Sequence, residues 1–460
     1  MTNQHPAPSA FKKFAGAFIA VLALVAMPAQ SQTNVAQIKS FGNAATSTGS
    51  EPFSRVIEGS DHLLYGTTFQ GGTYNKGTLF KVNMDGSGYL VLHSFAGPSG
   101  ADGRGPIGEL TEGKDGILYG TTYAGGTNDA GCVFKLNKDG TQYSVLRNLG
   151  GTAGSQPHGG IIEGSDGYIY GVTYTGGANS VGGTVFKLSK TGDEFTVLRN
   201  FDSRVEGANS YGGLIEGLDG ALYGTLAASG SGGNGSVWKI NKSGTGFVVL
   251  RNFFGTTGQA VSPHARLVQS SAGVLYGTTQ YGGPSAPYPD SLGLGTIFKI
   301  DANGGGYQVI YSFPVGGLSG KSPQSTLVLS GDETTLYGQT FYGGSAGKGV
   351  VFKAKTDGSS LSVLQNFTTG SGGSETTGIL LASDGLLYGT KYDGGANGSG
   401  FLYRLSTAGT GFTTLHDFTT PGGGDGAYPQ AQLATDGNGT FYGTTINGGN
   451  SDEGTVYTVK

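Results

Sequence analysis

A Tyr-Gly dipeptide recurs along this chain at Tyr65, Tyr119, Tyr170, Tyr223, Tyr276, Tyr337, Tyr388 and Tyr442, with spacings of 54, 51, 53, 53, 61, 51 and 54 residues. Self-similarity near 50 residues restricts the fold to arrays, solenoids and propellers, because one such unit cannot bury its apolar face alone. The third unit shows the whole phrase: GGIIEGSDG at 159–167, YIYGVTYTGG at 168–177, GGTVFKLSKTG at 182–192 and FTVLRNF at 195–201. Each piece is a short β-branched or aromatic run bounded by Gly, Asp, Asn or Ser, so each reads as a strand, A to D.

The links support that reading. Ser165-Asp166-Gly167 between A and B, and Ser189 to Gly192 or Asn137-Lys138-Asp139-Gly140 between C and D, are tight hairpin turns, where Gly, Asn and Asp tolerate positive φ. This accounts for the 90 glycines in 460 residues. They show no collagen period, and 24 Tyr with 24 Phe supply more large apolar side chains than a disordered chain carries. No stretch holds an apolar helical period for ten residues after the first thirty. Four antiparallel strands per unit of about 50 residues match a propeller blade. The fold class is therefore all-β, an eight-bladed β-propeller.

The ends of the repeat region give an independent check. Val35 to Phe41 aligns with strand D, whereas Gly454 to Val459 aligns with strand C. The N-terminal strand is thus expected to complete the last blade, closing the ring and removing the exposed edges an open array would carry.

The phrase (L/I)IEGSDGxLYGTTYxGGxNxxGT(V/L)FKLNxDG, as at Ile161 to Lys187 and Leu110 to Gly140, resembles the GloVer-type tandem repeat family of exported bacterial proteins across residues 35–460. The resemblance implies the propeller-like repeat and export, and brings no activity with it. Members often carry a C-terminal anchoring segment after the repeats. This sequence ends on a strand at Lys460, which on the resemblance implies free export without a membrane tether.

Lys12 and Lys13, the apolar run Phe14 to Met27, and small residues Ala29 and Ser31 read as a secretory signal peptide over 1–31, cleaved near Ser31. The run is too short to span a bilayer. One propeller domain over 32–460 follows, expected to be a periplasmic or extracellular monomer. Net charge is −4, with Lys and Arg scattered singly, which argues against a nucleic-acid or anionic-lipid partner. The single cysteine, Cys132, permits no internal disulfide and replaces a Thr of the repeat, as a small buried hydrophobe would.

Common catalytic signatures fail on context. Gly343 to Gly347 spells G-x-S-x-G in a B–C loop with no helix after it, and Gly103 to Gly108 spells G-x-G-x-x-G leading into a strand. No metal-ligand cluster or cofactor motif is present, and the Asn137 to Gly140 turns offer too few oxygens for calcium. The strand C aromatics, Phe80, Phe134, Phe186, Trp238, Phe298, Phe352, Tyr403 and Tyr457, read as blade-to-blade packing. The basic residue after each of the first seven, Lys81, Lys135, Lys187, Lys239, Lys299, Lys353 and Arg404, reads as a solvated face, since strand side chains alternate.

Function is sought where the repeat varies. Tight turns share one face of the disc and the longer B–C and D–A loops the other. The B–C loop of blade five, Pro284 to Leu294, is extended and carries Tyr288. Where strand A begins, near the channel mouth, one aligned position reads Phe53, Ile107, His158, Tyr211, His264, Gln324, Thr376 and Gln430; two residues on it reads Arg55, Glu109, Gly160, Gly213, Arg266, Thr326, Gly378 and Gln432.

Arg55, Glu109, His158, Tyr211, His264, Arg266 and Tyr288 are the expected ligand-binding residues, with no metal or cofactor. The favoured reading is an exported non-catalytic module recognising a glycan, peptide or envelope component, since fold alone carries no activity. The alternative is an extracellular carbohydrate-active enzyme, a polysaccharide lyase or hydrolase, using His158, Tyr211 or His264 as acid–base groups and Arg266 to hold a uronate.

Overall fold

In a computed structural model, the residues described are 35–42, 48–179, 181–255, 260–283, 293–370, 378–419 and 424–460. The proposed signal peptide lies outside them, as do Tyr288 and Thr376. The described residues belong to the unit Asn34–Lys460, which is an eight-bladed β-propeller of four-stranded antiparallel sheets. In blade 3, strands A to D are Ile162–Glu163, Ile169–Val172, Thr184–Leu188 and Phe195–Asn200. Among the described residues the helical content is confined to two single 3-10 turns, Pro98–Gly100 and Gly151–Ala153.

Ring closure follows the expectation. Val35–Ser40 pairs antiparallel with Thr455–Val459, from Val35 opposite Val459 to Ser40 opposite Thr455. Blade 8 therefore draws its outer strand from the other end of the chain. The seam between blades 8 and 1 is sealed by Phe41, Val56, Leu64, Phe80, Tyr442 and Val456. Equivalent apolar clusters fill the other seams. Between blades 3 and 4, for example, Tyr170 and Val185 meet Leu222, Trp238 and Ile240. Burying one such side chain contributes about 1.5–3 kcal/mol, so the recurrent aromatics hold blade to blade.

The anchor tyrosine has a second task. Its ring is buried, while its hydroxyl reaches the A–B turn and donates to the aspartate four residues earlier: Tyr65 to Asp61 at 2.7 Å, Tyr119 to Asp115 at 2.8 Å, Tyr170 to Asp166 at 2.8 Å. Tyr223–Asp219 and Tyr388–Asp384 repeat the bond.

The strand C lysines depart from the expectation of a solvated face. Lys81, Lys135, Lys239 and Lys353 are half-buried, and each donates to a backbone carbonyl in the C–D turn of the following blade: Lys138 O at 3.2 Å, Lys190 O at 3.0 Å, Ala302 O at 3.2 Å and Thr407 O at 3.3 Å. Alternation does send them away from the strand C aromatic. In a ring, however, both faces of a blade meet a neighbour, so the wet side is another seam. Strand D adds cation–π contacts between blades, with Arg147 over Phe195, Arg199 over Phe247 and Arg251 over Tyr307 at 4.0–4.2 Å.

On the tight-turn face, charged ties cover half the ring. Lys138 bridges Glu112 at 2.7 Å and Asp61 at 3.6 Å; Lys190 bridges Glu163 at 3.0 Å and Asp115 at 3.3 Å; Lys242 bridges Glu216 at 2.5 Å and Asp166 at 3.7 Å. Each glutamate also accepts a backbone N–H from the preceding blade's A–B turn, Ser60, Lys114 or Ser165. Further round, the glutamate position holds Gln269, Leu329, Leu381 and Thr435, and the lysine position holds Ala302, Thr356 and Thr407. The lysine bridges thus end at blade 4, and further round Gln269 accepts the Leu218 N–H at 2.9 Å and Glu333 accepts the Ser271 N–H at 2.7 Å.

Candidate functional site

Strand A is interrupted before it reaches the channel, and that interruption makes the mouth. In six blades the chain meets Pro52, Pro106, Pro157, Pro263, Pro323 or Pro429, which has no N–H to give to the sheet. The preceding residue is left-handed: Glu51 at φ 54°, Gly105 at 59°, Gln156 at 57°, Ser262 at 60°, Ser322 at 55° and Tyr428 at 60°, with Asn209 at 65° before Ser210 in blade 4. For a residue other than glycine this conformation costs of order 1–3 kcal/mol and persists only where the surroundings dictate it.

They do so through the backbone. The Gln156 N–H donates to Ala130 O of the preceding blade at 2.8 Å, while its carbonyl accepts from the Tyr174 N–H at 3.1 Å; Ser262 is held in the same way by Asn234 O and the Gln280 N–H. Outside the kink, isolated bridges such as Ser155 with Thr175 pair the chain with its own blade. Inside it, pairing with strand B resumes only at Ile162. The residues between belong to no ladder and line the channel.

They enclose a cavity of about 460 Å³ lined by Phe53, Arg55, Ile107, Glu109, His158, Tyr211, His264, Arg266, Gln324 and Gln430, with glycines between them. The six expected site residues that fall within the described region therefore meet in one cavity. One arc of the wall is aromatic. Tyr211 stacks on His264 with ring centroids 4.5 Å apart and planes 12° apart, and His158 lies edge-on to Tyr211 at 5.4 Å.

Two aromatics packed against this arc were not singled out by the sequence reading. Tyr174 donates or accepts a hydroxyl bond with Tyr211 at 2.8 Å and packs on His158, while Tyr123 of the preceding blade meets His158 at 5.3 Å. Both occupy the residue after the Tyr-Gly-x-Thr run, a position that reads Phe69, Tyr123, Tyr174, Ala227, Gln280, Phe341, Tyr392 and Ile446. That second variable register was the available signal.

Charge in the cavity is unevenly shared. Arg55 and Glu109 form an ion pair at 3.2 Å. Arg266 donates Nε to Gly212 O at 3.2 Å and has no carboxylate partner among the described residues. Burial holds both imidazoles neutral: it lowers the pKa of His158, and it pushes His264 down to about 4. His264 Nε2 lies 3.1 Å from Ser262 Oγ, while its Nδ1 and the Oε1 of buried Gln324 are enclosed without a hydrogen-bond partner.

Among the described residues neither imidazole has a carboxylate partner, and Glu109 is engaged by Arg55. Among the described residues no cluster of three or more His, Cys, Asp or Glu side chains could hold a metal ion. Gly343 to Gly347 lies in the B–C loop of blade 6, where the Ser345 N–H donates to Asn366 Oδ1. Cys132 is fully buried with Sγ 3.3 Å from Thr122 Oγ1, and burial raises its thiol to about 12.

A family model described as the Gloeobacter/Verrucomicrobia repeat matches residues 26–182, 98–288 and 288–460. No curated protein matches the chain in sequence. Among solved structures, a putative 6-phosphogluconolactonase from Bacteroides uniformis is similar at 15% identity and TM-score 0.47, covering 79% of this chain and 96% of that one. An oligogalacturonate lyase from Vibrio parahaemolyticus is similar at 13% identity and TM-score 0.46, covering 86% and 96%. Likeness at this level transfers no property to the chain.

Proposed function

The chain belongs to the Gloeobacter/Verrucomicrobia repeat family, and we propose that it is a non-catalytic recognition module that takes a small polar ligand, the end of a glycan chain, at the channel mouth. The observation that carries this reading is a cavity of about 460 Å³ that gathers polar side chains from many blades without assembling an acid–base pair. Its size falls within the range of about 300–1,000 Å³ usual for small-ligand sites. A general base works best with a pKa near the working pH. His264, pushed down to about 4, is a poor one at neutrality, and the single carboxylate among the described lining residues is spent on Arg55.

Export belongs to the same proposal, supported by Lys12, Lys13 and the apolar run to Met27; N-terminal sequencing of protein recovered outside the cytoplasm tests it. The functional test is incubation of purified protein with neutral and acidic polysaccharides, following heat of binding alongside ultraviolet absorbance and reducing ends. Binding without product supports recognition. New unsaturated or reducing ends abolished by His264→Ala would establish an enzyme instead.

A further inference from the structure

Resting on the mouth-recognition reading, we propose that the ligand is an acidic sugar, whose carboxylate is held by Arg266 and whose hydroxyls meet His264 and Gln324. The argument begins with charge. Of the three charged side chains among the described lining residues, Arg55 and Glu109 neutralise each other at 3.2 Å, which leaves the guanidinium of Arg266 uncompensated among those residues. One of its nitrogens is occupied by Gly212 O. The planar fork that remains matches a carboxylate.

The floor beside Arg266 is left open. Blades 3 and 4 carry Gly160 and Gly213 where blade 5 carries Arg266. A Cβ on Gly213 would lie 3.5 Å from Nη2 of Arg266, and one on Gly160 would lie 3.4 Å from the Cβ and backbone of Glu109. Gly213, at φ 74°, needs glycine for its backbone, whereas Gly160 does not have a positive φ. A Cβ at 160 would make only ordinary contacts, so neither backbone nor crowding demands glycine there, and its missing side chain leaves that part of the cavity lining open.

Two polar atoms of residues lining the cavity favour hydroxyls. The buried Oε1 of Gln324 can only accept, and the buried Nδ1 of His264 accepts or donates according to which ring nitrogen bears the proton opposite Ser262. Both lack a partner, and an unpaired buried polar atom is costly. A hydroxyl both donates and accepts, so it satisfies either tautomer. The imidazoles, kept neutral by burial, add no second positive charge, which fits one carboxylate better than a doubly charged phosphate. A carboxylate on a polyhydroxylated ring meets all of these demands; an acidic peptide offers the carboxylate with few hydroxyls.

The test is titration calorimetry of the purified chain with three probes: an oligogalacturonide, a neutral gluco-oligosaccharide of the same length, and an acidic peptide. The expected result is preference for the oligogalacturonide, reduced about 10- to 100-fold in Arg266→Gln, the scale of one lost hydrogen bond to a charged group, with partial retention in Arg266→Lys. Thermal melting of both variants separates loss of binding from loss of folding, and the lysine variant keeps the question open to measurement if the glutamine variant unfolds.

Equal binding of acidic and neutral oligosaccharides, unchanged in Arg266→Gln, would overturn the acidic class while leaving glycan recognition standing. Binding of the peptide alone, dependent on Arg266, would overturn the sugar. Binding of none of the three would remove both readings.

Discussion

Gly66 faces Phe80 across strands B and C of blade 1, and the phenyl ring covers it so closely that a Cβ would meet Cζ at 2.6 Å. The same pairing joins Gly120 to Phe134, Gly277 to Phe298 and Gly338 to Phe352. Gly66 does not have a positive φ, so its identity follows from the ring above it. The Tyr-Gly anchor and the strand C aromatic are one packing unit read twice in the sequence.

Gly66→Ala is expected to destabilise the ring by about 1–3 kcal/mol through overpacking, read as a fall in the denaturant midpoint. Phe80→Leu in that background should restore part of the loss, because the two positions share one contact. Additive losses would show that the ring does not dictate the glycine.

The charged ties on the tight-turn face give an acid sensitivity. Burial alone would raise the Glu112 carboxyl, but the Lys138 ammonium and the Ser60 donors reverse this and hold it below its ordinary 4.5. Glu112 then contributes stability that is present above pH 4.5 and lost as pH falls through the lower folded value. Glu112→Gln should cost about 1 kcal/mol at pH 7 and flatten the acid limb of the stability curve. An acid limb identical to wild type would refute the assignment.

His264 has the opposite chemistry and a higher window. Its folded pKa near 4 lies below the ordinary 6.5, so the unfolded chain binds the extra proton and stability declines as pH falls from about 6.5 toward 4. Between pH 6.5 and 5 the loss should be about 1.5 kcal/mol. His264→Gln should lack this component, which urea titrations at the two pH values would show directly.

Cys132 should be inert to maleimide in the folded protein, because its thiol is fully buried and raised to about 12. Labelling should follow unfolding across a denaturant series. Cys132→Thr, which restores the threonine pair seen between Thr68 and Thr78 at 2.8 Å, should leave stability within about 1 kcal/mol.

How far the sequence could be read depended on whether a property repeats within a blade or arises between blades. Tyr-Gly spacing located every blade, and alignment of the position after each kink placed His158, Tyr211, His264 and Arg266 around one cavity, because equal register in equivalent blades means equal radius. The lysines of strand C were misjudged because alternation describes one sheet, whereas Lys135 ends at a carbonyl in the next blade. Tyr123 and Tyr174 escaped for a related reason. They belong to strand B by register yet stand over strand A of the mouth, and only the fold brings the two registers together.

Pairing of Val35–Ser40 with Thr455–Val459 also sets an order of events. The strand made first has no partner until nearly the last residues have been synthesised, so it must wait, unpaired and edge-exposed, through the making of every other blade. Folding of the ring thus ends in a single joining step whose loop spans almost the whole domain, and such a closure is slow compared with the local hairpins that precede it. A growing chain would hold seven blades with all four strands and an eighth that is one strand short, vulnerable to pairing with a second molecule until the clasp shuts.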